Sequence, residues 1–562
     1  AAKMGNKKLE DLDFSANNHT YSIANIVNSW NDASNGSGYY YPLIDYGNAS
    51  PAKHNWIFKT FRPALFAKEY IDKIFSMAEY TYSCALFDTN RFKSAIIPSN
   101  LKAVFTSSQD LIRVSNPDPA IFASTSTPFD QVDFLTQQLA AAVTTSDGIT
   151  YTYGGSQTLQ VTIQAILYGT YRGSTDYVFG IYKNGTLIAS DSAPASLSGS
   201  SFYKTISLDF TLAPSDYFYI AGQANSGVDI NYELVYSAGA GFTLISSTAE
   251  LIEAGIGDEV DMNVNLPKNY LQKDFISSIV KLFNLYIFED PLNDKVLQIK
   301  PFVDFYSGAA SVDWSLKLDR SKPIRIKPMS ELNARYYEFN FKDDSDYYND
   351  LYKKRYNQSY GSLTYDSEYE FAKEVEKVEL IFAGTVLIGY SGEDKVYSTI
   401  FKRSGDTVGA GEESIDSNIR ILLAKKITGV TSYNILAADG VTNLGSQTAY
   451  GYAGHFDNPD APSNDIQFGV PRELFYEVPT GSINVNQFNV YWSSYMAEIT
   501  DKDSRLLTAT FKLNYKDIFG LDFSTFIYVD GVKFRLNKIK DFNATNEDTC
   551  EVELLKIINS EY

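Results

Sequence analysis

Cysteine, histidine and cations are scarce in this chain, and each shortage narrows the chemistry open to it. The two cysteines, Cys84 and Cys550, lie far apart, and no Cys or His pair has the spacing of a zinc site. Neither a disulfide framework nor a structural zinc is therefore expected. Only three histidines are present, His19, His54 and His455. A nucleophile needs a base within reach, and histidine is the usual one near neutral pH. His54 falls in a polar loop beside Trp56, and His455 in Gly454-His455-Phe456-Asp457 reads as a turn or surface residue. The 48 Lys and Arg against 68 Asp and Glu leave a net charge of −20, which disfavours binding nucleic acid through its phosphates. The longest nearly unbroken apolar run, Leu380 to Tyr390, is too short to span a bilayer. No charged-then-apolar leader is seen at the N-terminus, and a soluble protein is expected. The first residue is Ala1 rather than Met, as in a processed product or part of a longer chain.

Familiar catalytic signatures are missing too. There is no GxxxxGK[ST] and no GxGxxG after a strand. Gly389-Tyr390-Ser391-Gly392-Glu393 lacks the second glycine of a nucleophile elbow at its required place, and Gly409-Ala410-Gly411 reads as a loop. Asp343, Asp344, Asp346 and Asp350 suggest calcium, but the central Gly and terminal Glu of an EF-hand are absent, so a solvated polar face is the plainer reading. Asn18-His19-Thr20, Asn48-Ala49-Ser50 and Asn184-Gly185-Thr186 fit the glycosylation triplet, a pattern common by chance in Asn-rich chains. Carboxylate pairs are abundant and none stands out. The expectation is a non-enzymatic protein with no catalytic, cofactor-binding or metal residues to name.

What is present is aromatic surface and β-pattern. The 562 residues exceed one ordinary core, and 42 Tyr with 36 Phe favour strands and large contact areas. The expected fold is mainly β with a few helices. Residues 273–287, KDFISSIVKLFNLYI, place Ile276, Ile279, Val280 and Phe283 on one helical face. Residues 68–82, KEYIDKIFSMAEYTY, repeat that face with Ile71, Ile74, Phe75 and Ala78. Each helix runs into an aromatic, β-branched segment, then an acidic turn at Asp88-Thr89-Asn90 or Asp290-Pro291-Leu292-Asn293-Asp294, then another apolar run. Two amphipathic helices can match by pattern alone, yet the recurring hairpin favours one helix-strand-turn-strand module present twice.

Composition divides the rest. Residues 1–137 read as an N-terminal arm and the first module. Residues 138–247 turn rich in Thr, Ser and Gly with short alternating strands and an Asn184-Gly185 type I′ turn, predicting an inserted β-sandwich of jelly-roll kind. The second module covers 248–390, a loop-rich insertion 391–475, and an antiparallel β-barrel portion 476–562. In that last part Phe488 to Trp492, Leu507 to Leu513, Ile527 to Val529, Val532 to Leu536 and Cys550 to Ile557 are predicted strands, with Asp530-Gly531 a second type I′ turn.

The helix-strand module, Ser321-Lys322-Pro323-Ile324-Arg325-Ile326-Lys327-Pro328, the run Asn486 to Trp492 and the ending IYVDGVKFRLNKIKDFNATNEDTCEVELLKI resemble tail proteins of bacteriophages that infect Bacteroidetes-type bacteria. The likeness covers roughly 40–135 and 250–560. A duplicated helix-plus-β-barrel module is more distantly similar to phage baseplate hub proteins. The resemblance implies a structural virion protein of the tail hub or tail tip, a trimeric or hexameric ring contacting tube, spike and fibre proteins, with no enzymatic residues to carry over. The sandwich between the modules departs from a simple hub, and its kind in tail proteins often binds host glycans. A carbohydrate-binding adhesin acting through that insert is the alternative, and a cell-wall hydrolase a third possibility.

Overall fold

The computed structural model describes residues 4–49, 53–106 and 252–558 except 291, 371, 373, 391, 406–410, 478–484, 520 and 544–547, together with the strands and turns named below between 110 and 246. Ser50 of one glycosylation triplet, Pro291, Ser391, Gly409-Ala410 and part of the 541–549 loop lie outside the described residues. The chain is mainly β and forms two compact units. One comprises Ala1–Asp13, Ile26–Lys102 and Leu266–Tyr562; the other comprises Phe14–Asn25 and Ala103–Asn265.

In the larger unit, α1 (Ala67–Met77) buries Tyr70, Ile71, Ile74 and Phe75, the face its 3.6-residue period demands. The strand β1 (Thr81–Ser83) follows, and β2 (Ala95–Pro98) comes after a short 3-10 and α turn. The second helix, α2 (Gln272–Phe283), ends at Asn284 in the left-handed region, a stop that Asn tolerates. Its buried face is Phe275, Ser278, Ile279, Leu282 and Phe283, rotated from the expected one, so Ile276 and Val280 are only half-buried. Ser278 lies on the buried side because its hydroxyl accepts from the Ile381 N–H. Next come β3 (Leu285–Glu289) and β4 (Val296–Pro301), an antiparallel hairpin. The Asp290 carboxylate accepts from the Leu292 and Asn293 amides and shapes its turn.

The hairpin expected in each copy is found only after α2. After α1, β1 pairs parallel with β4, giving the order β3-β4-β1, while β2 joins another sheet. Strand β1 lacks the length to hold a hairpin of its own, and the β4 edge offers it a ladder. The two helix-strand units touch through Tyr70 and Phe275, whose ring centroids lie 5.4 Å apart.

Further along lie β5 (Ser311–Asp313), β6 (Arg325–Pro328), β7 (Tyr336–Lys342), α3 (Tyr347–Tyr356) and β8 (Val375–Ala383). The segment read as loop-rich holds β9 (Leu422–Leu436) and β10 (Asn443–Gly454), a long hairpin with register shifts. A Cβ at Gly451 would lie 2.5 Å from the Trp30 indole, so this strand needs glycine there for close packing. Phe488–Trp492, expected as a strand, is a π-helical turn leading into α4 (Ser493–Thr500). The Asn486 side chain accepts from Asn489 N and starts that helix, and Phe488 and Tyr491 are buried three apart on one face.

The C-terminal strands β11 (Arg505–Phe511), β12 (Phe526–Val529), β13 (Val532–Lys540) and β14 (Cys550–Lys556) form a six-stranded sheet ordered β5-β12-β13-β14-β11-β6. Its core holds Trp314, Phe511, Ile527, Val552 and Leu554. The Asp530-Gly531 turn has φ of 50° and 81°, as type I′ requires.

The smaller unit contains a seven-stranded and a six-stranded antiparallel sheet. Leu159–Arg172 pairs along its length with Ser201–Leu212, and the Asn184-Gly185 turn has φ of 50° and 78°. Burial alternates, with Val161, Ile163, Ala165, Phe218 and Ile220 inside. Strands Asp110–Ser115 and Thr136–Leu139 share the seven-stranded sheet, so it begins before the change of composition at Gln138.

Candidate functional site

The residues weighed for chemistry are mostly partners of one another inside the larger unit. The His455 Nδ1 lies 3.1 Å from Asp465 and its Nε2 lies 3.3 Å from the Tyr360 hydroxyl. His455 and Asp465 are each 1% exposed, which corrects the surface reading of His455. The pair ties the end of β10 to the segment that follows it. His54 meets Glu393 at 3.1 Å, and the fully buried Lys395 reaches the same carboxylate at 2.8 Å. His19 lies in the smaller unit, where its Nδ1 contacts the Asn17 carbonyl at 2.7 Å and burial pushes its pKa down.

The four aspartates read as a polar face divide by depth. Asp344 and Asp346 are buried against Arg420, at 2.5 and 2.7 Å. Asp343 pairs with Lys353, and Asp350 with Lys354 at 2.5 Å, both near the surface. Burial pushes the Asp346 carboxyl up, with the Arg420 charge pulling against it. Lys53 bridges Asp45 and Glu412 in a second buried set. Cys84 and Cys550 are both buried free thiols. Among the described residues no group of three or more His, Cys, Asp or Glu is placed to hold a metal, and no helix is long and apolar enough to cross a membrane.

These networks hold segments together across hundreds of residues; what faces outward with distinctive chemistry is the C-terminal sheet. Ile326 on β6 is exposed, as are Leu316, Ile324, Tyr515, Phe519 and Phe523 on the segments that connect the sheet's strands, and Tyr515 stacks on Phe519 at 5.2 Å. A groove of about 390 Å³ is walled by Ile324, Ile326, Leu507, Val532 and Phe534, with Arg505, Lys556 and Asp530 as its charged lining. Scattered apolar residues are normal on a surface, but Ile324, Ile326 and Val532 are exposed apolar residues gathered around one groove. The sequence motif Ser321 to Pro328 passes through this region, and its alternation of Ile with Arg and Lys was the available signal.

No family model matches the chain, and no curated protein matches it. Solved structures matched over part of its length include the Eiger TNF from S. frugiperda, at 10% identity over 26% of this chain and 95% of that one, TM-score 0.18. Murine APRIL matches at 9% identity over 25% and 99%, TM-score 0.18. Pika GITRL matches at 12% identity over 23% and 97%, TM-score 0.16.

Proposed function

We propose that this chain is a structural component of a bacteriophage tail, a baseplate hub or tail-tip protein. It forms a ring-like homo-oligomer in the virion, trimeric or hexameric, joining the tail tube to spike or fibre proteins without enzymatic activity. The supporting observation is the pairing of its two helix-strand units: α1 packs on α2 through Tyr70 and Phe275, and β1 joins the β3-β4 hairpin as a third strand. On this reading the two units are the diverged copies of a hub module, and the smaller two-sheet unit is a sandwich inserted between them. An aromatic-rich, mainly β subunit with an exposed apolar face suits an obligate assembly, where thousands of Å² are buried.

The test is the mass of the purified chain under conditions that preserve weak contacts. A defined trimer or hexamer is expected, and a monomer at every concentration would remove the ring.

A second reading, glycan binding through the smaller unit, is favoured by Tyr217, which is 37% exposed beside the Asn184-Gly185 turn. A glycan array of the full chain against its Tyr217→Ala variant tests it. Silence of the unaltered chain would leave that unit a scaffold.

A further inference from the structure

The segment that carries Ile324 and Ile326 has a charge pattern opposite to the rest of the molecule. Between Lys317 and Lys327 stand Lys317, Arg320, Lys322, Arg325 and Lys327, with Asp319 as the sole acid, in a chain whose net charge is −20. Arg320 to Lys327 are all exposed, and Ile324 and Ile326 are 45% and 60% exposed. Lys317 pairs with Asp517, and Arg320 with Asp530 at 2.6 Å. Arg325 and Lys327 are paired with no carboxylate among the described residues. They lie on β6, which is at the end of the sheet order and among the described residues pairs only with β11, in the register Arg325↔Thr508 through Pro328↔Arg505.

An edge strand leaves a row of backbone donors and acceptors open to another chain, and proteins guard such edges with charge. The sign of the guard matters. A cationic edge repels the same edge of another copy, yet it attracts the acidic surface elsewhere on a chain at −20. Along this edge Arg325 and Lys327 alternate with the exposed Ile324 and Ile326, and the isoleucines line the groove. Cations alone would suit a polyanion, but Ile324 and Ile326 offer nothing to a phosphate backbone, whereas apolar contact flanked by complementary charge is how protein interfaces gain both affinity and register.

We propose that β6 is the docking edge for a second copy of this chain, which lays an acidic, aliphatic segment along it. Apolar side chains of that segment enter the groove between Ile324, Ile326 and Val532, and its carboxylates meet Arg325 and Lys327. The contact is heterologous, one patch meeting a different one on the neighbour, as closed rings require. The proposal rests on the homo-oligomer reading above and names the surface that builds it.

The experiment compares the solution mass of the unaltered full chain, an Arg325→Glu/Lys327→Glu variant and an Ile324→Ser/Ile326→Ser variant by sedimentation, at low and high salt. All four positions are exposed, and unchanged thermal melting checks that the variants fold. The unaltered chain is expected to be an oligomer that loosens as salt rises, and each variant to weaken association by about tenfold or more. An unaltered oligomer whose mass neither variant changes would overturn this edge while leaving the ring intact. A monomeric unaltered chain would overturn both. Binding of a DNA duplex that the charge-reversed variant loses, with no variant changing the protein's mass, would give the edge another occupant and also overturn the proposal.

Discussion

The Arg420 guanidinium lies 2.7 Å from the Asp346 carboxylate, and both side chains are 1% exposed. The same group donates to Asp344, while Asn349 donates to Asp346, so the site is fully partnered and closed to water. It clamps the start of α3 to the segment entering β9, two stretches far apart in the chain.

Arg420→Ala is therefore expected to destabilise the larger unit by about 3–5 kcal/mol, since it strands two buried carboxylates. Urea denaturation followed by tyrosine fluorescence measures it. A loss below about 1 kcal/mol would mean that water reaches the pair.

The contact between α1 and α2 gives a second expectation. Phe275 is fully buried, with Tyr70 at 5.4 Å and Phe382 at 5.6 Å between ring centroids. Phe275→Ala should cost about 3–5 kcal/mol and should loosen β1 from the β3-β4 hairpin. Amide exchange in Thr81–Ser83 would report the second effect, and unchanged protection there would separate the helix contact from the strand pairing.

Gly384 concerns space rather than backbone freedom. A Cβ on it would lie 2.3 Å from the Tyr360 carbonyl oxygen, and the Gly384 carbonyl accepts from Asn349 and Arg420. Gly384→Ala is expected to lower stability by about 1–3 kcal/mol by overpacking. A melting temperature equal to that of the unaltered chain would show that this backbone yields easily.

Alkaline pH should unfold the larger unit cooperatively. Burial pushes the Tyr46 phenol from 10.0 up to about 12, against the opposing charges of Arg62 and Arg420. Because the folded value is the higher, the neutral phenol contributes its full stability below pH 10. That contribution falls away as pH rises through about 12, a loss of roughly 2–3 kcal/mol. Burial pushes Tyr70, Tyr360 and Tyr433 upward as well. Phenolate absorbance should then appear in step with unfolding. Smooth titration of every tyrosine near its ordinary value, with the fold intact, would contradict it.

Much of the local structure was legible beforehand. The face of α1, the β3-β4 hairpin and the two type I′ turns follow from periods and turn chemistry that act over a few residues. The Arg420 clamp was not legible, because Asp344 and Asp346 acquire meaning only beside a cation some seventy residues on. The basic edge was half-visible: Ser321 to Pro328 stood out as a phrase, but nothing in the letters said that its isoleucines stay exposed.

The sequence by itself determined where the chain turns, which stretches alternate and which helical stripe is apolar, since these follow from sterics and hydrogen bonds between near neighbours. Tertiary structure alone decided that β1 pairs with β4 rather than β2, that Phe488 to Trp492 winds into a helix, and that Gly451 belongs to a strand pressed against Trp30. Those outcomes depend on which edges and apolar faces remain open once distant segments have come together, and that competition is not written in any short stretch of the chain.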